Sequence, residues 1–250
     1  MVILKLRKEM KKIVIAGMLT IAVSLFADVK LNDVKVVDNI GFAGLNKTIS
    51  KADKSAAGRW YLRRAQYTTY KTVRDDEFEL EGAVEEAYKA LISKIKEENK
   101  NFIGKTSELR LGSEFSKYDF KKQLFPISVM EKNSVVTFGG DQIIYTGSYG
   151  LQLSFDNVNN SHSVLPMVKT DARTFTKSRK SSNGNVNRDL TVRYSFIIKS
   201  IESSIDNLNK CNERFSRCNQ IEEPKMIGHI TKMEILDKDG KVLHTYSDYK

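Results

Sequence analysis

Little in this chain can cross-link, kink or ligate. Only two cysteines, Cys211 and Cys218, occur in 250 residues. That is too few for a disulfide-built scaffold, and alone too few for a structural zinc site. Their spacing is also not the Cys-x-x-Cys of a thiol-redox centre. Three prolines, Pro126, Pro166 and Pro224, provide no Pro-rich linker, and no Gly/Ser-rich run divides the chain. Three histidines, His162, His229 and His244, lie far apart and outside any His-Glu-x-x-His spacing, so they read as structural or surface residues. Gly147-Ser148-Tyr149-Gly150 lacks the Gly-x-Ser-x-Gly spacing of a nucleophile elbow. Gly139-Gly140 lacks the Gly-Lys-Ser/Thr of a phosphate loop, and both read as turns. The absence of a repeat of 20 to 50 residues removes solenoids and propellers. No RNP, zinc-finger or helix-turn-helix signature points to nucleic acid. No motif calls for a cofactor or a metal.

What is present first is a leader pattern. Lys5, Arg7, Lys8, Lys11 and Lys12 precede Ile13 to Ala27, fifteen positions without a charge, and polar sequence resumes at Asp28. A charged segment followed by an apolar run of this length is the pattern of a secretory signal; a stable span takes about 20 apolar residues. Residues 1–27 are therefore expected to be a signal peptide cleaved after Ala27, with the protein exported to a periplasm or secreted. With no cysteine at that boundary, lipidation of a mature N-terminus is not expected. The whole chain carries 41 Lys+Arg against 31 Asp+Glu; removal of residues 1–27 leaves 36 against 30, a net charge of +6. That excess favours anionic surfaces.

Residues 28–102 read as a strand and loop followed by a helical region, and residues 103–250 as an antiparallel β-rich region, the two forming one compact domain. Val34-Lys35-Val36-Val37 has the β-branched content of a strand, with Gly41 and Gly44 in a loop after it. A helix is expected over 54–72, where Trp60 and Tyr67 stand seven apart on one face. A second helix begins after Asp75-Asp76-Glu77 and carries Leu80, Val84, Ala87, Tyr88, Leu91, Ile92 and Ile95 at three-and-four spacing, ending by 99–101. Strands are expected around 109–111, 135–138, 143–145, 151–155 and 190–196, and Ile230 to Leu236 with Lys241 to Tyr246 should form a hairpin about Asp239-Gly240. The fold class is α+β: N-terminal helices packed on a mainly antiparallel sheet or small sandwich that ends in a β-hairpin.

Three features bear on function. Seven residues of unbroken helix would hold the cysteine Cα atoms ~10.5 Å apart, beyond the reach of a disulfide. A Cys211–Cys218 bridge, which export would favour, therefore implies a turn inside a stapled excursion over 203–224. Second, Lys169, Arg173, Lys177, Arg179, Lys180, Arg188 and Arg193 are opposed only by Asp171 and Asp189. With Ser181 to Asn185 between them, they read as a basic loop able to touch an anionic polymer or membrane. Third, Tyr118 to Ile127 gathers three aromatics and a proline, a stretch suited to packing over a sheet edge.

The leading functional reading is an exported, non-catalytic envelope protein that binds another protein or an anionic envelope polymer. A secreted or periplasmic hydrolase with acids around Asp75 or Asp119 is an alternative, for which those carboxylates would have to line a deep pocket. A membrane-active secreted protein making peripheral bilayer contact is the other.

Overall fold

A computed structural model describes residues 34–138, 150–205, 208 and 221–249. Residues 1–27, Ile143 to Tyr145, Gly139-Gly140, Gly147 to Tyr149 and both Cys211 and Cys218 lie outside the described residues. The chain begins with α1 (Val34–Gly44), α2 (Asn46–Ser50), α3 (Lys54–Ala65), α4 (Tyr67–Val73) and α5 (Glu77–Phe102). Then come β1 (Thr106–Glu114), β2 (Leu124–Pro126), β3 (Val136–Phe138), β4 (Leu151–Phe155), β5 (Val164–Pro166), α6 (Lys169–Ser178), β6 (Asp189–Glu202), β7 (Lys225–Leu236) and β8 (Val242–Tyr246). The fold is α+β, with α1 to α5 before the strands and α6 between β5 and β6.

The expected strand at 34–37 is instead the first turn of α1. A β-branched run sets only a weak local preference, and the longer apolar spacing overrides it. Val37, Ile40 and Ala43 face the sheet, while Phe42, Leu45 and Ile49 turn into a second cluster with Trp60, Leu91 and Ile95. One short segment thus serves two cores. The helix expected over 54–72 breaks at Gln66, whose φ of −130° and ψ of 42° are not helical. The break swings Tyr67 away from the buried face of Trp60, leaving it 53% exposed.

The longest helix among the described residues, α5, starts and packs as its sequence dictates. Asp76 Oδ1 accepts hydrogen bonds from the amides of Phe78 (3.0 Å) and Glu79 (3.1 Å), satisfying donors that the first turn leaves unpaired. Val84, Ala87, Leu91, Ile95 and Phe102 form its buried stripe. The helix crosses α3 at Gly58, where an added Cβ would overlap the carbonyl oxygen of Val84.

The main sheet runs β1-β6-β7-β4-β3, with β8 also on β7. All its pairings are antiparallel except β4 on β7, which is parallel. The sheet is therefore mainly antiparallel, as expected, with this one parallel pairing making it mixed. Alternation in a strand identifies the face it buries but not the neighbour it will choose. One edge of β7 is divided: its start pairs with β4 and its end with β8. Between them Asn157 acts as a surrogate strand, its Oδ1 accepting from Ile230 N at 2.8 Å and its Nδ2 donating to Ile230 O at 2.9 Å. The β7–β8 hairpin forms as expected, with Gly240 at φ +82° and Asp237 Oδ1 accepting from Asp239 N and Lys241 N. β2 and β5 form a separate antiparallel ribbon, which supports the lobe described next.

Candidate functional site: a basic and aromatic lobe

The segment 115–123 and helix α6 are joined by aromatic packing. Phe115 contacts Phe125 (5.0 Å between ring centroids) and Phe175 of α6 (5.2 Å), and Tyr118 lies 4.9 Å from Phe125. Hydrogen bonds fasten the loop to the start of the helix: Tyr118 OH donates to Met167 O (2.8 Å), and Met167 N to Gln123 O (3.0 Å). Between these anchors Asp119 Oδ1 accepts from the amides of Lys121 and Lys122, each at 2.9 Å. This closed turn directs Phe120 outward, where it is 71% exposed. Packing over the sheet edge, expected of 118–127, describes Phe125 and Ile127 but not Phe120.

The expected basic loop is a helix for much of its length. Of α6, only Ala172 is fully buried, and Phe175, three residues on along the same face, is half-buried; that helical spacing is present in the sequence, but the charges around it read as a loop. The helix sorts the seven cations into two groups. Lys169, Arg173 and Lys177 repeat every four residues, so they share one face and span ~12 Å along the axis. Lys180 follows, and all four are exposed. Among the described residues none of these four enters an ion pair. Lys169 Nζ lies 6.0 Å from the Phe120 ring centroid, which brings Lys117, Lys121 and Lys122 of the loop beside the stripe.

Arg179, Arg188 and Arg193 must be removed from the expected binding surface. Arg179 is only 7% exposed; its Nη1 donates to Asp189 O at 2.7 Å, and its guanidinium lies 4.5 Å from the Phe175 ring and 5.6 Å from Phe115. Arg188 Nη1 donates to the carbonyls of Phe115 (3.2 Å) and Ser116 (2.9 Å). Arg193 pairs with Glu234 at 2.7 Å on the sheet. Planar guanidinium groups suit these roles in a way lysines do not. The Ser181 to Asn185 segment of the expected basic loop is a tight turn, closed by Ser181 N to Asn185 O (2.8 Å) and Asn187 N to Arg179 O (2.9 Å).

The remaining expected sites fall elsewhere. Asp75 lies on the surface, its side chain 86% exposed, beside Arg74. Asp76 and Asp119 are used as caps, so these acids do not share a cleft. His162 is buried, stacked on Tyr246 at 4.2 Å, with Nε2 3.1 Å from Asp248. His229 Nδ1 meets Asp156 at 2.8 Å. His244 is half-buried, and burial, then the neighbouring His162, holds its pKa below the ordinary 6.5. An open depression of about 470 Å³ is lined by residues 157–161 with Asp248 and Tyr249. Among the described residues no group of three or more His, Cys, Asp or Glu is placed to hold a metal, and no helix is long and apolar enough to cross a membrane.

The lobe presents seven exposed cations, Lys117, Lys121, Lys122, Lys169, Arg173, Lys177 and Lys180, against Asp119 and Asp171 within its two segments. Like charges one helical turn apart cost a few tenths of a kcal/mol per pair, a cost that an anionic ligand removes. Lys117, Lys121 and Lys122 were not joined to the basic set from sequence, because their nearness to α6 depends on the β2–β5 pairing. Residues 55–178 match a family model described as a domain of unknown function (DUF4852). The matched segment starts in α3 and stops at the last residue of α6, so it includes the aromatic loop and the stripe but not β6 or β7. No curated protein and no solved structure matches the chain.

Proposed function

We propose that this is an exported envelope protein with a binding role, which engages an anionic partner through the lobe formed by 117–122 and α6. The observation that carries this reading is the row of exposed cations without ion-pair partners among the described residues, Lys169, Arg173 and Lys177, flanked by Lys117, Lys121 and Lys122. A field of one sign over a fixed surface concentrates anions and selects for phosphate or carboxylate arrays. Export rests on the charged segment and apolar run within residues 1–27.

The surface position of Asp75 and the capping roles of Asp76 and Asp119 count against the hydrolase alternative, which needs two carboxylates at a set separation. A bridge between Cys211 and Cys218 belongs to the same proposal. It is supported by the way the chain leaves β6 and returns to β7: Ile205 pairs with Ile221, and Glu222 N donates to Ser204 O at 2.8 Å. The excursion holding both cysteines therefore begins and ends at one point.

Binding of the purified chain to soluble polyphosphate, followed by anisotropy, tests the proposal. Binding is expected to weaken steadily as salt rises from about 50 to 500 mM, and to be lost in the triple variant Lys169→Glu/Arg173→Glu/Lys177→Glu with thermal stability retained. Equal binding by the triple variant, or no binding by the wild type at low salt, would overturn it.

A further inference from the structure

Cations alone would suffice for a soluble polyanion, yet the centre of the lobe is apolar. Phe120 is 71% and Val168 53% exposed. They are brought close by contacts that fix the backbone: Tyr118 packs edge-on against Phe120 at 5.1 Å, its hydroxyl binds Met167 O next to Val168, and Lys169 stands over the Phe120 ring. The Asp119 turn holds Phe120 outward rather than letting it fold onto the adjacent Phe115–Phe125–Phe175 cluster. An exposed phenylalanine beside an available aromatic core is costly in water; here Lys169 stands against its ring, Lys117, Lys121 and Lys122 are exposed on the same short loop, and Arg173 lies one turn further along α6.

We propose that the lobe docks on an anionic bilayer surface, with Phe120 and Val168 entering the interface and the surrounding lysines and Arg173 meeting lipid phosphates. This rests on the reading of the lobe as an anion-binding surface and names its partner. The charge complementarity selects anionic over neutral lipid, since each basic residue near such a surface adds to the attraction. The apolar pair favours a bilayer over a soluble polyanion, because the acyl boundary offers a medium into which a ring can be transferred. The area is small, so the contact is peripheral and reversible.

The test uses the full chain and two variants, Phe120→Ala and the triple α6 charge reversal. Each is measured by co-sedimentation with phosphatidylcholine vesicles, with vesicles containing about one-third phosphatidylglycerol, and by anisotropy with soluble polyphosphate. Wild type is expected to bind the anionic vesicles and to bind neutral ones far less. Phe120→Ala should weaken vesicle binding roughly tenfold, the scale of removing one buried aromatic side chain, and weaken polyphosphate binding far less. Charge reversal should abolish both. Polyphosphate binding with no preference for anionic vesicles would overturn the bilayer proposal while leaving the anion-binding reading intact. Vesicle binding unaltered by Phe120→Ala, whether through residues 13–27 or another surface, would also overturn it. Loss of all binding in the wild type would end both readings.

Discussion

Arg179 and Lys177 stand two residues apart, one buried and one exposed, which makes them a sharp test of the proposed surface. Replacing Arg179 with alanine removes a charge-assisted hydrogen bond to the Asp189 carbonyl, worth about 1.5–3 kcal/mol. It also removes the stack on Phe175 and Phe115, worth roughly 0.5–2 kcal/mol. Some of this is returned, because a poorly hydrated cation no longer has to be accommodated, so a net loss of about 3 kcal/mol is expected. For a chain of this size that lowers Tm by about 6–12 °C. Lys177→Ala changes an exposed side chain and should move stability by less than about 0.5 kcal/mol. Binding to a polyanion should show the reverse order: Lys177→Ala weakens it, while Arg179→Ala, measured below its own Tm, changes it little. Differential scanning calorimetry and anisotropy on the same samples decide the matter. An Arg179→Ala protein with wild-type Tm and impaired binding would refute the division of the basic residues drawn from the structure.

Two glycines should respond to alanine with opposite signs. Gly82→Ala, on an exposed turn of α5 with open space around it, should raise stability by about 0.5–1 kcal/mol. Gly58→Ala places a methyl group against the Val84 carbonyl and should cost about 1–3 kcal/mol or more; urea midpoints compare them. Burial pushes the Tyr194 hydroxyl up to about 12 from 10.0. The folded state therefore favours the protonated phenol: this stability is fully present below pH 10.0 and is lost as pH rises from there toward about 12. Tyr194→Phe should flatten that decline, at a cost of about 1–3 kcal/mol near neutrality because Met130 N loses its 3.1 Å acceptor. Intact mass of the protein from its host's envelope, with and without reductant, should give a chain beginning at Asp28 and two protons lighter before reduction. Reduction should then cost about 2.5 kcal/mol of stability for a loop of that size.

The parts of the fold that were legible in sequence were those whose own residues settle the outcome. Asp76 and the Val84-to-Ile95 stripe define α5 without help from elsewhere. Leu190, Val192, Tyr194 and Phe196 alternate because one face of β6 is buried along its length. The hairpin turn needs only Asp237, whose side chain accepts from Asp239 N and Lys241 N, and Gly240. Where the outcome depends on distant partners, local pattern misled. Val34 to Val37 resembles a strand until Ile40, Ala43 and Leu45 are counted with it, and the helical spacing of Ala172 and Phe175 in α6 is easily passed over for the basic residues around it. The parallel β4–β7 pairing and the Asn157 bridge beside it have no local signal. For the lobe, sequence supplied the basic character but not its sorting. That three of seven cations are spent on carbonyls, rings and a carboxylate follows from where Phe115, Asp189 and Glu234 happen to lie.

The most direct measurement is a hydrogen-exchange footprint of the chain with and without vesicles rich in phosphatidylglycerol. Binding through the lobe predicts slowed exchange at the amides of 117–122 and along α6, with the exposed face of α4 and the turn at 237–240 unchanged. Protection confined to other segments, or none under conditions where the protein co-sediments, would contradict the assignment of this lobe as the docking surface.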